Sequence, residues 1–173
     1  PRVLGRLEAS VQTIAGEIVD EVCEQGEVDF VTDVAAKLPL RIVCDLMGIP
    51  RSRYDEVFAR TNVILGFSDP EYVPDEHDIV TATLTAGGEL AALMDEVAAS
   101  KRGGDGQDLT SVLVNAELEG DTLDAADLAS FFILLVVAGN ETTRNAISWG
   151  LDLLTHNPGQ RAVWARSEEH TSE

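Results

Sequence analysis

Apolar positions recur at three- and four-residue steps along most of this chain, the spacing of helices that bury one face. Leu7, Val11, Ile14, Ala15, Ile18 and Val22 predict an amphipathic helix over Leu4–Glu24, and Gly26 stands where a helix C-terminus stops. Val28–Val31 reads as a short turn or extended link. Asp29 or Thr32 is suited to cap the next helix, which runs to about Met47 with a kink expected at Pro39. Gly48-Ile49-Pro50 is a strong terminator. Ser52 is expected to cap a helix to about Leu65. A polar loop follows over Gly66–Asp78, with Pro70, Pro74, Phe67 and Tyr72. A second long helix is predicted over Ile79–Lys101, then a Gly-rich loop over Arg102–Gln107 and a short helix over Leu109–Leu118. Glu119-Gly120-Asp121 is a turn. Thr122 or Asp124 caps a helix reaching His156, and Asn157-Pro158 ends it and opens another over Gly159–Ala165. The fold class is all-α, with little room for a sheet.

The helix from Asp124 to His156 is the informative one. At 1.5 Å per residue it is about 50 Å long. Leu128, Phe131, Phe132, Leu135, Gly139, Thr142, Ala146, Gly150 and Leu153 form a continuous apolar or small face. Around Ile133–Val137 it is apolar on every side, which predicts burial through the middle of the molecule. Asn140-Glu141-Thr142-Thr143 then interrupts the apolar run Phe131–Gly139. Ala138 and Gly139 are one turn before Thr142 and are expected to share its face. Two positions with little side chain beside a hydroxyl make a groove where a flat ligand can approach the backbone. Gly inside a helix costs about 1 kcal/mol relative to Ala. The Thr142 hydroxyl can compete for a carbonyl, so a local widening is expected there. Glu141 lies about 100° round the helix, facing a different neighbour. Splitting dioxygen takes protons delivered to its outer oxygen. A hydroxyl that accepts and donates can hold the oxygen and a water, and a nearby carboxylate can relay protons from solvent. Glu-Thr-Thr alone on a helix is more often surface, with Thr bonded back to the chain; the apolar run and the Ala-Gly pair before it favour a site.

Composition narrows the function classes. The chain has 173 residues and a net charge of −19, with acidic residues spread over most helical segments. That is a solvated surface and argues against phosphate-backbone binding, so nucleic acid is excluded as a partner. No continuous apolar run reaches the ~18 residues of a membrane span, and no signal segment opens the chain. Cys23 and Cys44 sit inside helical patterns, as small hydrophobes of a reducing cytoplasm would. The last eight residues, Arg166–Glu173, resemble the translation of a sequencing adapter, and with Pro1 at the start they suggest a piece of a longer protein: residues 1–165 as a partial domain, 166–173 as non-native.

Ala138-Gly139-Asn140-Glu141-Thr142-Thr143 behind its apolar run resembles the oxygen-activating helix of the cytochrome P450 monooxygenases. A second stretch, Leu38-Pro39-Leu40-Arg41-Ile42-Val43-Cys44-Asp45-Leu46-Met47-Gly48-Ile49-Pro50, is similar to the bacterial P450 segment that ends in Leu/Met-Gly-Ile-Pro. The order of elements also matches, from after the family's C helix through its long I helix to the start of J. The resemblance implies a soluble, cytoplasmic bacterial heme-thiolate monooxygenase that inserts one oxygen atom from O2 into a hydrophobic small molecule, a sterol or branched lipid from the look of Gly139–Asn145. A ferredoxin-type electron donor and no membrane association are implied with it. Ala138, Gly139 and Thr142 would line the heme. Thr142 would be the oxygen-handling alcohol and Glu141 its acid partner, with Thr143 structural and Asn145 and Ala146 at the pocket edge. Val63, Ile64, Phe67, Tyr72 and Leu135 would contact substrate, the first four as part of a mobile lid. Neither Cys has the Gly-rich setting of the heme ligand, so no metal ligand is assigned here. The Glu-x-x-Arg helix is absent too. Tight heme binding and turnover by these residues alone are not expected.

Two other readings compete. An all-α ligand-sensing or interaction domain without heme would use the polar patch for a ligand, but it predicts a helix-turn-helix and a basic face, and neither is found. A purely structural bundle leaves Gly139 and Glu141 at a helix centre without a reason.

Overall fold

The computed structural model describes residues 2–67, 69–73, 78–117 and 122–168. Pro74, the Glu119–Asp121 turn and the chain after Glu168 lie outside them. The described residues form seven α-helices: α1 (Arg2–Val22), α2 (Lys37–Met47), α3 (Tyr54–Leu65), α4 (Ile79–Lys101), α5 (Leu109–Asn115), α6 (Ala125–His156) and α7 (Pro158–Glu168). No strand occurs among them. α6 packs against α4 and α2, α3 lies on α4, and α1 reaches the rest through α2 and the turn before it.

The core lies between α2, α3, α4 and the first half of α6. Met47, Val57, Leu90, Met94, Leu128, Phe132 and Val136 are buried at its centre. α6 is the one described helix long and apolar enough to cross a membrane. Leu128, Phe132 and Val136 of this helix pack in the core, while only 28% of its most apolar stretch is buried. α1 contributes little apolar burial beyond Ile14 and Ile18. Ion pairs tie it down instead: Glu21 holds Lys37 at 3.2 Å and Arg41 at 2.7 Å, and Glu17 holds Arg51 at 3.1 Å. The Arg41 hydrogen bond keeps the Glu21 carboxyl below its ordinary range.

Local signals explain most boundaries. Asp29 Oδ1 accepts from the backbone of Val31 at 2.9 Å and Thr32 at 3.0 Å, as expected of a cap. The chain then makes a π-helical turn over Val31–Ala35 before α2, and Pro39 sits in the first turn of α2, where its missing N–H costs least, with the helix unbroken from Lys37 to Met47. Asp124 Oδ1 accepts from Asp127 N at 2.8 Å and starts α6. Ser52 does not cap α3. It lies inside a 3-10 turn, Arg51–Arg53, and makes no capping hydrogen bond.

One corner joins the ends of three helices. Gly48, with φ 65°, ends α2 in the left-handed region, and a Cβ there would strike the Asp108 carboxyl and the Lys101 ammonium. Only glycine fits both demands. Lys101, the last residue of α4, holds Asp108 at 2.9 Å, and Asp108 caps α5 by accepting from Ser111 N at 2.9 Å and Ser111 Oγ at 2.7 Å. Asn115 closes the loop, donating to Lys101 O at 3.0 Å and accepting from Gly103 N at 2.6 Å.

Candidate functional site

The polar interruption of α6 divides by direction. Successive helical residues turn 100°, and the buried members Leu128, Ala129, Phe132, Val136 and Asn140 define the inward face. Opposite them runs an outward strip: Phe131 is 40% and Leu134 65% exposed, and Ala138, Thr142 and Asn145 continue it into solvent. The expectation that α6 is buried all round at Ile133–Val137 is therefore corrected. An all-apolar stretch has no preferred face of its own, and α2 and α4 cover only one side.

Thr142 lies on the outward strip, one turn after Ala138, and its Oγ1 donates to the Ala138 carbonyl at 2.8 Å. The back-bonding foreseen for this hydroxyl is present, without a widened turn: α6 is regular α-helix through Gly139–Thr143. Gly139, three residues before Thr142 on the same regular helix, lies at the inward edge of the strip. It is half-buried toward α2, where a Cβ would meet Val43 Cγ2 at 3.6 Å. That is ordinary contact, so the neighbouring helix does not require glycine.

Glu141 sits at the shoulder between the two faces. Both its oxygens are engaged on its own helix, by an ion pair with Arg144 and by Asn145 Nδ2 at 3.0 Å. The loop between α3 and α4 carries Phe67 and Tyr72. Gly66 lets it turn tightly, since a Cβ there would collide with the Tyr72 ring. Burial, then Glu71 beside it, pushes the Tyr72 phenol above its ordinary range, and Arg144 and Glu141 act on it through space. Val63 and Ile64 are partly buried on α3, Leu135 packs against the core, and Phe67 is 50% exposed. Thr143 and Ala146 are exposed.

Asn140 entered the sequence reading as part of the polar interruption, with no role of its own. It is fully buried, and neither Nδ2 nor Oδ1 has a hydrogen-bond partner. An amide flanked by Gly139 and Glu141 was the available signal. No group of three or more metal-ligating side chains occurs among the described residues. Cys23 is exposed at the end of α1. Cys44 is buried in α2, where burial, with Asp45 beside it, pushes its thiol up to about 12.

No family model matches the chain. Curated relatives do. The chain is 42% identical over 167 residues to a methyl-branched lipid omega-hydroxylase of Mycobacterium tuberculosis, covering 95% of this chain and 38% of the relative. It is 31% identical over 172 residues to a steroid C26-monooxygenase of Mycolicibacterium smegmatis, covering 99% of this chain and 39% of the relative. Among solved structures, a Mycobacterium marinum cytochrome P450 in complex with pseudoionone matches with a TM-score of 0.89 at 40% identity, over 99% of this chain and 41% of that one. A Bacillus megaterium relative in complex with testosterone gives 0.82 at 26% identity, over 98% and 44%.

Proposed function

As the chain belongs to the cytochrome P450 family and spans about two fifths of the length of the relatives it matches, we propose that the whole protein is a heme-thiolate monooxygenase that places one oxygen atom from O2 into a hydrophobic lipid or steroid. A ferredoxin-type protein supplies the electrons, and the site of action is the cytoplasm. Residues 1–165 form one wall of the reaction chamber and do not turn over by themselves.

The observation that carries this reading is the outward strip of α6. An apolar run of Phe131 and Leu134 leads to the short side chain of Ala138 and then to a hydroxyl. A flat ring fits against one helical turn there, since Ala138 leaves the backbone approachable between Leu134 and Thr142. Heme, when bound, supplies the oxygen-activating chemistry. Ala138 and Thr142 would face it, with Gly139 at its edge. Its thiolate ligand would come from outside these residues, since Cys44 is buried in α2 and Cys23 follows α1, neither of them on the α6 strip.

The chain's own groups handle protons. By donating to Ala138 O, Thr142 Oγ1 keeps its lone pairs for an arriving donor such as water. Glu141 is held at the shoulder by Arg144 and Asn145, between solvent and the strip, where it can pass protons toward Thr142. Substrate enters under the loop carrying Phe67 and Tyr72 and rests near Val63, Ile64 and Leu135.

Two measurements on the full-length protein test this. Reduction under carbon monoxide is expected to give the red-shifted Soret band of thiolate-ligated heme; a featureless spectrum refutes the family activity. Thr142→Ala is expected to divert most reducing equivalents to peroxide. Coupling as tight as in the parent would refute the role given to Thr142.

A further inference from the structure

A cavity of about 340 Å³ opens between α1, the π-helical turn, α2 and the start of α3, and none of its lining residues belongs to α6. That volume is in the range of small-molecule sites. Its floor is apolar, built from Ile14, Leu40, Phe58 and the Tyr54 ring. Its walls are charged, and the charges do not balance.

Three cations line it, and all are engaged by α1. Lys37 and Arg41 share Glu21, while Arg51 meets both oxygens of Glu17 at 3.1 and 3.2 Å. Asp33, Asp45 and Asp55 line the same space and form no ion pair with a basic side chain among the described residues. Asp45 accepts the Tyr54 hydroxyl, Asp33 accepts the Asp29 backbone N–H at 3.1 Å, and Asp55 stands in the first turn of α3. Arg51 acts on the Tyr54–Asp45 pair only through space.

An anion would find every cation already paired. A neutral hydrocarbon would strip water from the three aspartates without replacing it, which costs free energy. A cation carried on an apolar body answers both surfaces: carboxylates take its charge, and aromatic rings accept its flank. Part of the wall is itself irregular, because Thr32 and Asp33 belong to the π-helical turn, and such turns recur at functional sites. We propose that this cavity is a binding site for a small organic cation with an apolar body, of the arylalkylammonium or alkylguanidinium class. It is separate from the α6 strip, and it stands whether or not the oxygenase reading does.

The test is titration of benzyltrimethylammonium into the isotope-labelled protein, followed by NMR, with phenylmethanesulfonate as the size-matched anion. The cation is expected to give saturable shifts at the amides of Thr32, Arg41 and Phe58, and the anion none. Asp45→Asn with Asp55→Asn keeps shape and the Tyr54 hydrogen bond, and is expected to weaken the cation at least fivefold. Asp55→Asn alone, at an exposed position, is expected to weaken it about twofold without touching the fold. Thr142→Ala is expected to bind it unchanged. Equal shifts with the anion, no shifts with the cation, or a double variant that titrates like the parent would each overturn the site.

Discussion

The two halves of α6 live in different surroundings. Up to Asn140 the helix sinks Leu128, Phe132 and Val136 into α2 and α4. Beyond Ser148 it leaves them: Trp149 is 67%, Leu151 44% and Leu153 58% exposed, and on α7 Val163 and Trp164 are 53% and 54% exposed. Both halves carry large hydrophobic residues, though the first is richer in them and the second more polar. What separates them is whether this chain supplies a partner surface. The first half is held by burial, and the second by helical hydrogen bonds and local side-chain bonds such as Thr155 Oγ1 to Leu151 O at 2.8 Å.

The sharpest way to break the comparison is a matched pair of truncations. Phe132→Ala is expected to cost about 3–5 kcal/mol by emptying the core, whereas Trp149→Ala should change stability by no more than about 0.5 kcal/mol. Urea unfolding of the chain decides it, and equal losses would erase the distinction. Next in size is Asn140→Leu. A buried amide without partners costs about 1–3 kcal/mol, so a leucine of similar volume is expected to raise the melting temperature. A fall would show that Asn140 has a partner such as buried water. Gly139→Ala, with room beside Val43, is expected to stabilise the chain by about 1 kcal/mol while weakening heme retention in the full protein. A gain in stability with unchanged heme retention would take Gly139 out of the site.

The smallest effect belongs to the corner. Asp108 meets two opposing influences. Burial raises its carboxyl, while the hydrogen bonds from Lys101 and Ser111 lower it more, leaving it below its ordinary range. A carboxylate so depressed stabilises the fold above its unfolded pKa, and that contribution is lost as pH falls through the lower folded value. Asp108→Asn should therefore flatten the stability profile at the acid end, below the ordinary carboxylate range, as read by thermal melts from pH 6 to 3. An unchanged profile would remove Asp108 from the acid response.

Helix existence and limits were largely legible. Ile79–Lys101 and the Asp124 start of the long helix come directly from apolar spacing and capping chemistry, and both stand as expected. Gly48 was legible as a stop because only glycine takes the left-handed turn cheaply. The orientation of α6 was not. Between Phe131 and Val137 every direction is apolar, so the inward face is chosen by α2 and α4, which no local signal encodes. That is why the inward edge of the strip, where Gly139 meets Val43, was not foreseen. Ser52 misled for a related reason: the capping chemistry was right, but the chain enters α3 through a 3-10 turn. Of the candidate site, the acid and alcohol stand one helical step apart as the motif requires. The approach of the Tyr72 ring to Gly66 depends on how a loop folds back, and the sequence showed Tyr72 only as an assignment to the lid.

The knot at Gly48, Lys101 and Asp108 has a mechanical corollary. It clamps the far end of a rod, α4, whose 23 residues extend about 35 Å toward the Phe67–Val73 loop. With that end pinned, a tilt of only about 5° carries the free end roughly 3 Å, the size of a methyl group, at a rise of ~1.5 Å per residue. The Gly48 corner is thus the fulcrum about which α4 would turn, taking with it α3, which lies on it.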